Sequence, residues 1–175
     1  MQTQKDLVSM HPRHGIMNID VLSFARLAYR VFEETGTKQM QVLDDEGKNL
    51  ILRKIAGDYE NKLTVLKGNI KKLGYISEVK SVISEFTQYD IGEEEMDEML
   101  DHLDEDSRLY YKLKDIRLLY EGFQDYLRER YITKEELLDV LNSQVKESEL
   151  LKNSVVVLDG FTGFTPVQNR LILEL

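Results

Sequence analysis

Apolar side chains recur at helical spacing through the middle of the chain. Leu52, Ile55, Tyr59, Leu63, Leu66, Ile70 and Leu73 are separated by 3, 4, 4, 3, 4 and 3 residues, which places them on one face of a helix ended by Gly74. Gly57 and Gly68 each weaken that helix by ~1 kcal/mol relative to alanine, so the stripe has two points where it can kink or break. Ile76, Val79, Ile83 and Phe86 form a shorter stripe, and Met96, Met99, Leu100 and Leu103 another. Leu109, Leu113, Ile116, Tyr120, Phe123 and Leu127 then step by 4, 3, 4, 3 and 4. Thr133 with Glu136 makes a capping box, and Ile132 with Leu137 the hydrophobic staple that sets the angle of the next helix.

The two ends follow a different pattern. Residues 16–22 (Ile-Met-Asn-Ile-Asp-Val-Leu) read as a strand, and Ser23 caps a helix with Phe24, Leu27, Ala28, Val31 and Phe32 on one face. Gly36 stands where a left-handed helix stop belongs. Residues 155–158 (Val-Val-Val-Leu) are wholly apolar, the mark of a strand buried on both faces of a parallel sheet. That run ends in Asp159, followed by a loop with Gly160 and Gly163 and a helix start with Thr165 as cap, Pro166 first and Gln168 closing a capping box. Each strand runs directly into a capped helix, so the two are expected in one sheet, parallel, adjacent or one apart. Two strands do not make a stable open sheet. The others are expected from sequence before Met1 or after Leu175, since both terminal segments read as the middle of a pattern. The fold class is therefore mainly α with a small parallel α/β part. Residues 1–40 and 150–175 hold the partial sheet, and residues 41–149 are a helical insertion.

Composition narrows the chemistry. The 175 residues are 42% hydrophobic, enough for a core, and contain no cysteine, so disulfides, thiolate zinc and iron–sulfur ligation are excluded for this stretch. No apolar run approaches the ~20 residues of a membrane helix, and a cytoplasmic, soluble protein without a membrane partner is expected. The net charge of −9 is local: residues 91–109 carry nine acids against Arg108, leaving −1 for the rest. The acidic stretch from Glu93 to Asp106 is thus expected to be a solvated face turned away from any nucleic acid, without forbidding a phosphate-facing surface elsewhere. His11 and His14, with only His102 to add a third imidazole, do not make a metal site, and no metal site is expected.

Strand, acidic tip, loop and capped helix are the parts of a Walker B region, and their nearest likeness is motif II of UvrD-type helicases. Asp159, Phe161, Thr165, Pro166 and Gln168 keep that frame, while Gly160 occupies the place of the catalytic glutamate. The segment from Asn18 to Gly36 (Asn-Ile-Asp-Val-Leu-Ser-Phe-Ala-Arg-Leu-Ala-Tyr-Arg-Val-Phe-Glu-Glu-Thr-Gly), then Leu43-Asp-Asp-Glu-Gly47 and Asp159-Gly-Phe-Thr-Gly-Phe-Thr-Pro166, resembles the amino-terminal part of AddB (RexB). AddB is the second subunit of the bacterial AddAB helicase–nuclease. The likeness covers essentially the whole chain, tightest at its two ends and loosest from Gly57 to Asp106. It implies a RecA-like, 1A-type helicase sheet carrying a 1B-type helical insertion. It also implies a parent that processes double-strand DNA ends for recombinational repair beside an AddA-type motor and nuclease subunit. ATP, magnesium and an iron–sulfur cluster are implied for that parent only.

No cofactor is expected for the chain itself, because no Gly-x-x-x-x-Gly-Lys-[Ser/Thr] loop is present and Gly160 offers no side chain to align a water. No catalytic residue is expected, and Asp159 is read as a vestigial Walker B carboxylate. Ser23 and Phe24 stand where UvrD-type helicases contact the single strand, with Arg26 and Arg30 as phosphate partners. Phe161, Thr162 and Phe164, among glycines, are the matching candidates in the loop, the phenylalanines as stacking platforms. The expectation is an inactive helicase-like scaffold for single- and double-stranded DNA and a partner subunit. The alternatives are an active UvrD-like ATPase domain and a helical protein-interaction module.

Overall fold

The computed structural model describes residues 2–36, 41–70, 72–128 and 130–175. Helices dominate: α1 (Gln2–Met10), α2 (Phe24–Thr35), α3 (Asp45–Asp58), α4 (Leu73–Gln88), α5 (Glu93–Asp101), α6 (Arg108–Leu127), α7 (Leu137–Gln144), α8 (Glu149–Lys152) and α9 (Pro166–Glu174). Two three-residue strands, β1 (Gln41–Leu43) and β2 (Tyr131–Thr133), pair in parallel, with Val42 opposite Ile132.

Local signals form the helix ends as the sequence leads one to expect. The Ser23 hydroxyl accepts the Arg26 N–H, and Gly36 closes α2 at φ 67° with its N–H on the Phe32 carbonyl. At residue 133 both bonds of the box are made, Thr133 N–H to Glu136 at 2.7 Å and Glu136 N–H to the Thr133 hydroxyl at 3.3 Å, but they close the turn after β2, and α7 itself begins only at Leu137 with Glu136 as its cap. Ile132 and Leu137 beside it are buried. Thr165 and Gln168 exchange the same two bonds around Pro166.

The long stripe beginning at Leu52 is real as a core pattern but not as one helix. Leu52, Ile55, Leu63, Leu66 and Ile70 are all buried, yet α3 stops at Asp58 and residues 59–70 run through turns. The side chain of Leu73, which ends the stripe, lies outside the described residues. Asp115 on α6 explains the break. Its carboxylate accepts the N–H groups of Thr64, Val65 and Leu66 at 2.8–3.1 Å, an acceptor that competes with the next helical turn. Gly57 stands at the weakened end of α3, and Gly74 lies inside α4 and does not end the stripe.

The expected strands are corrected. Neither 16–22 nor 155–158 forms a ladder, and the parallel pairing lies instead at β1 and β2, whose three residues are too short for a periodic signal. The relative exposure of Val155, Val156, Val157 and Leu158 alternates, 90, 41, 80 and 40%. A β-branched apolar run prefers extended backbone, but only a neighbouring backbone turns it into a strand. The boundary expected between residues 40 and 41 touches positions outside the described residues.

Packing divides into two cores. The first gathers α3, α4, α5 and α6, including Ile55, Leu66, Ile70, Ile83, Met96 and Phe123. The second sets α7 between α2 and α9, with Ala28, Val31, Phe32, Leu141 and Leu171. In the first core α3 crosses α6 where only glycine fits: a Cβ on Gly122 would sit 2.7 Å from the Tyr59 ring and 2.9 Å from Ile55.

Gly122→Ala should destabilise the chain in urea unfolding. Overpacking of 1–3 kcal/mol exceeds the ~1 kcal/mol gain in helix propensity. A variant of equal or greater stability would mean that the crossing is looser than described.

The two cores meet at Lys48 and Glu135. The Lys48 ammonium, its side chain 2% exposed, lies 2.7 Å from Glu135 and 3.3 Å from the Ser84 hydroxyl. Burial alone would raise the Glu135 carboxyl, but the Lys48 ammonium outweighs it and holds the group below its ordinary value. Stability from a carboxyl depressed in the folded state is present above its unfolded value and is lost as pH falls through the folded one. Thermal stability should therefore fall on acidification below about pH 4.5. In Glu135→Gln the part of that loss belonging to this carboxyl should vanish, at a cost of roughly 3–5 kcal/mol at neutral pH for stranding the ammonium.

Candidate nucleic-acid interface

The residues singled out at the two ends of the chain come together around α2. At its C-terminal turn, Glu34 accepts the Ser148 hydroxyl at 2.5 Å and the Leu150 N–H at 2.8 Å. Ser148, fully buried, also caps α8. The Ser148 hydroxyl, aided by the Leu150 N–H, holds the Glu34 carboxyl below its ordinary range. At the other end of α2, Phe24 meets Phe161 with ring centroids 5.4 Å apart, and Phe161 meets Phe164 at 4.9 Å. The chain between residues 151 and 160 therefore travels the length of α2, roughly 18 Å for twelve helical residues.

That path carries the exposed run 155–158 and delivers the loop to the mouth of α2. Phe161 is 47% exposed, so this three-ring cluster is only partly covered. Phe24 and Phe164 are half-buried and support it. Thr162 is exposed in the same loop. Gly160 holds φ at +78°, a left-handed conformation that lets the chain turn directly after Asp159.

The charged candidates are unequal. Arg26 is exposed on the first turn of α2. Arg30 lies 3.1 Å from Asp20, and that exposed pairing reduces the positive charge it offers. Sequence reasoning missed this pair because Asp20 lies in the segment read as a strand. Asp159 is exposed and accepts the Thr3 hydroxyl at 3.3 Å. One carboxylate beside a hydroxyl, next to a glycine and without a phosphate-cradling loop, does not fit a magnesium–nucleotide site by itself. Among the described residues no three His, Cys, Asp or Glu side chains are grouped to hold a metal ion.

The acidic helix α5 belongs to the other core through Met96. Its charge is met there by Arg117, which bonds Asp97 at 2.5 Å and lies within 3.8 Å of Glu93 and Glu121. The Asp97 contact comes first among the causes that raise the Arg117 guanidinium above its ordinary value. Arg170 of α9 was also missed: it bonds Asp139 on α7 and Asp90 in the turn before α5, joining the helix behind the aromatic loop to both cores. No periodic signal announces such a residue, because its partners lie far away in sequence.

Comparison with known proteins agrees over the full length. A family model described as ADDB, N-terminal, matches residues 1–175. A protein of Lachnoclostridium phytofermentans, named as the B-type subunit of an ATP-dependent helicase/deoxyribonuclease, is 45% identical over 175 residues, all of this chain and 15% of that protein. Proteins of the same name from Alkaliphilus oremlandii and Clostridium kluyveri are 37% and 38% identical, over 100% and 98% of this chain and 15% of each of theirs. The chain thus spans about 15% of the length of these curated relatives.

Ser148→Ala removes the first cause of the lowered Glu34 carboxyl, so Glu34 should titrate at higher pH, as read by carboxyl carbon NMR. An unchanged Glu34 titration would show that the loop is not anchored to α2 in this way.

Proposed function

The chain belongs to the AddB amino-terminal family, and we propose that it is a catalytically inactive, helicase-like scaffold that holds single-stranded DNA beside a motor partner. The observation that carries this is the meeting of Phe24, at the start of α2, with Phe161 and Phe164 of the loop after Asp159. The partly exposed rings offer stacking surface for bases, and Arg26, exposed on the first turn of α2, offers a cation for phosphate. Ser23 fixes the first turn of α2 beneath them, and Thr162 adds a hydroxyl at the loop surface.

In this reading residues 1–40 and 150–175 are the inner part of a RecA-like domain whose remaining strands come from the rest of the polypeptide, and residues 41–149 are its 1B-type insertion. The uncovered alternation at residues 155–158 supports that, since a central strand needs neighbours on both edges. Asp159 keeps the place of a Walker B carboxylate, and Gly160 removes the water-orienting group from its neighbour. The parent is a DNA end-processing helicase–deoxyribonuclease subunit of recombinational repair, working in the cytoplasm with an AddA-type partner. In the intact parent Asp159 would help to hold magnesium and ATP, while a phosphate-cradling loop and the iron–sulfur cluster would come from residues outside this stretch.

Two measurements test the proposal. In the intact polypeptide, Phe161→Ala with Phe164→Ala should weaken single-strand binding by ~1–3 kcal/mol per lost stack, and Arg26→Glu should weaken it more than Arg30→Glu. The 175-residue chain, once circular dichroism shows it folded, should give no ATP turnover. Turnover abolished by Asp159→Ala would favour an active UvrD-like motor. Unchanged single-strand affinity in all three variants would favour a protein-interaction module.

A further inference from the structure

Four cation–aromatic contacts lie along α6 and the adjoining end of α3. Lys114 stands 5.7 Å from the centre of the Tyr110 ring, and Lys62 4.9 Å from Tyr59. Lys54 and Arg130 share Tyr126, at 5.3 and 5.8 Å. Tyr59 itself lies against Gly122, and Lys62 and Lys114 line one cleft, so the four cations follow α6 in order. From Tyr110 to Tyr126 the helix rises about 24 Å, the length of roughly seven base-pair steps.

We propose that this row, Lys114, Lys62, Lys54 and Arg130, is a second nucleic-acid contact that grips the phosphate backbone of duplex DNA. Among the described residues Lys62, Lys114 and Arg130 form no ion pair, while Lys54 has an exposed partner in Asp58 at 3.4 Å. All four side chains are exposed. The tyrosines lie beneath the cations, which both hold the cations in place and cover part of the ring faces a base would stack on. A surface offering cations in place of open rings reads phosphates and not bases, and suits a duplex whose bases are already stacked. The phenylalanine cluster, with its exposed ring, is the converse.

The acidic helix marks where the contact ends. Asp97 and Asp101 line the cleft beside Lys62 and Lys114. Asp97 is taken up by Arg117, which leaves Asp101 facing the two lysines. The remaining acids of α5 repel a backbone within ~8 Å at physiological salt, so the duplex is steered toward the Lys54 and Arg130 end.

This rests on the DNA reading above, and the test separates the two. In the intact polypeptide the triple variant Lys62→Glu, Lys114→Glu, Arg130→Glu is titrated with a fluorescent twenty-base-pair duplex of arbitrary sequence and with oligothymidine, across a salt series. Duplex affinity should fall at least about tenfold near 0.1 M salt, and the magnitude of its salt slope by roughly 2–3, at ~0.9 per phosphate contact. Oligothymidine binding should hold. The charge-keeping variant Lys62→Arg, Lys114→Arg, Arg130→Lys should bind duplex as the unaltered protein does. That variant guards against misfolding, together with a thermal melt of the glutamate variant. Neutral Lys62→Gln, Lys114→Gln, Arg130→Gln, with a smaller loss in the same order, serves if the glutamates do not fold. Unchanged duplex affinity and slope in a folded triple variant overturns the proposal, as does an equal loss on both DNA forms. In either case Phe161→Ala still decides the single-strand reading on its own.

Discussion

Two separate hydrophobic cores are joined through a buried ion pair, and most of the architecture depends on it. Lys48 belongs to α3 and the first core, and Glu135 follows β2 on the way into the second. The same neighbourhood holds the three-residue ladder of β1 and β2, since β1 leads into α3 and β2 into the Thr133 capping box. A ladder so short stabilises little alone. The ion pair gives it a fixed register, because the ammonium is satisfied only when Glu135 and Ser84 converge on it. Two apolar residues of similar volume would stabilise the junction as well or better. What they would lose is the requirement that α3, α4 and the turn after β2 meet at one point.

Legibility in the sequence tracks the distance between partners. Ser23, Gly36 and Thr165 announce helix ends because their hydrogen-bond partners lie three or four residues away. The apolar stripes announce burial for most of their members, though Met99 and Leu109 stay exposed, even where they misreport shape. Leu63, Leu66 and Ile70 enter the core from turns because Asp115, some fifty residues on, takes the N–H groups a helix would have used. No local pattern encodes that. The ends failed in a related way: residues 155–158 have strand composition, but a strand exists only with a neighbouring backbone, and none pairs with them. Of the candidate site, Phe24, Phe161 and Phe164 were legible as types and positions, and the structure supplied their meeting. Arg30 looked as available as Arg26 until Asp20 was seen beside it.

Charge is organised by the same long-range contacts. The net −9 misleads as a single number, since most of it lies between Ile91 and Leu109 and part of that is drawn inward by Arg117. Arg170 ties Asp90 and Asp139 together behind the aromatic loop. Exposed pairs of this kind contribute little stability each, so their effect is on geometry. They fix the acidic helix against α6 and fix α9 against both cores.

Aromatic rings play opposite parts on the two halves of the molecule, and cation placement decides which. Where phenylalanines gather without a cation over them, as at Phe24, Phe161 and Phe164, ring surface stays open toward solvent at an apolar cost. At 47% exposure the Phe161 ring keeps a face free for the stacking partner that the proposed reading gives it. Where tyrosines gather under lysine and arginine, as along α6, the rings are partly covered and the cation is what remains outward. A lysine held over a ring has already lost much of its rotamer freedom, which otherwise costs up to ~2 kcal/mol when a long side chain is ordered on binding. Such a row is prepared for a regular anion array in a way that scattered surface lysines are not. Of its tyrosines, Tyr110 and Tyr126 lie beside the helical stripes and Tyr59 lies within one, and no local pattern tells a ring that will carry a cation from one that only packs.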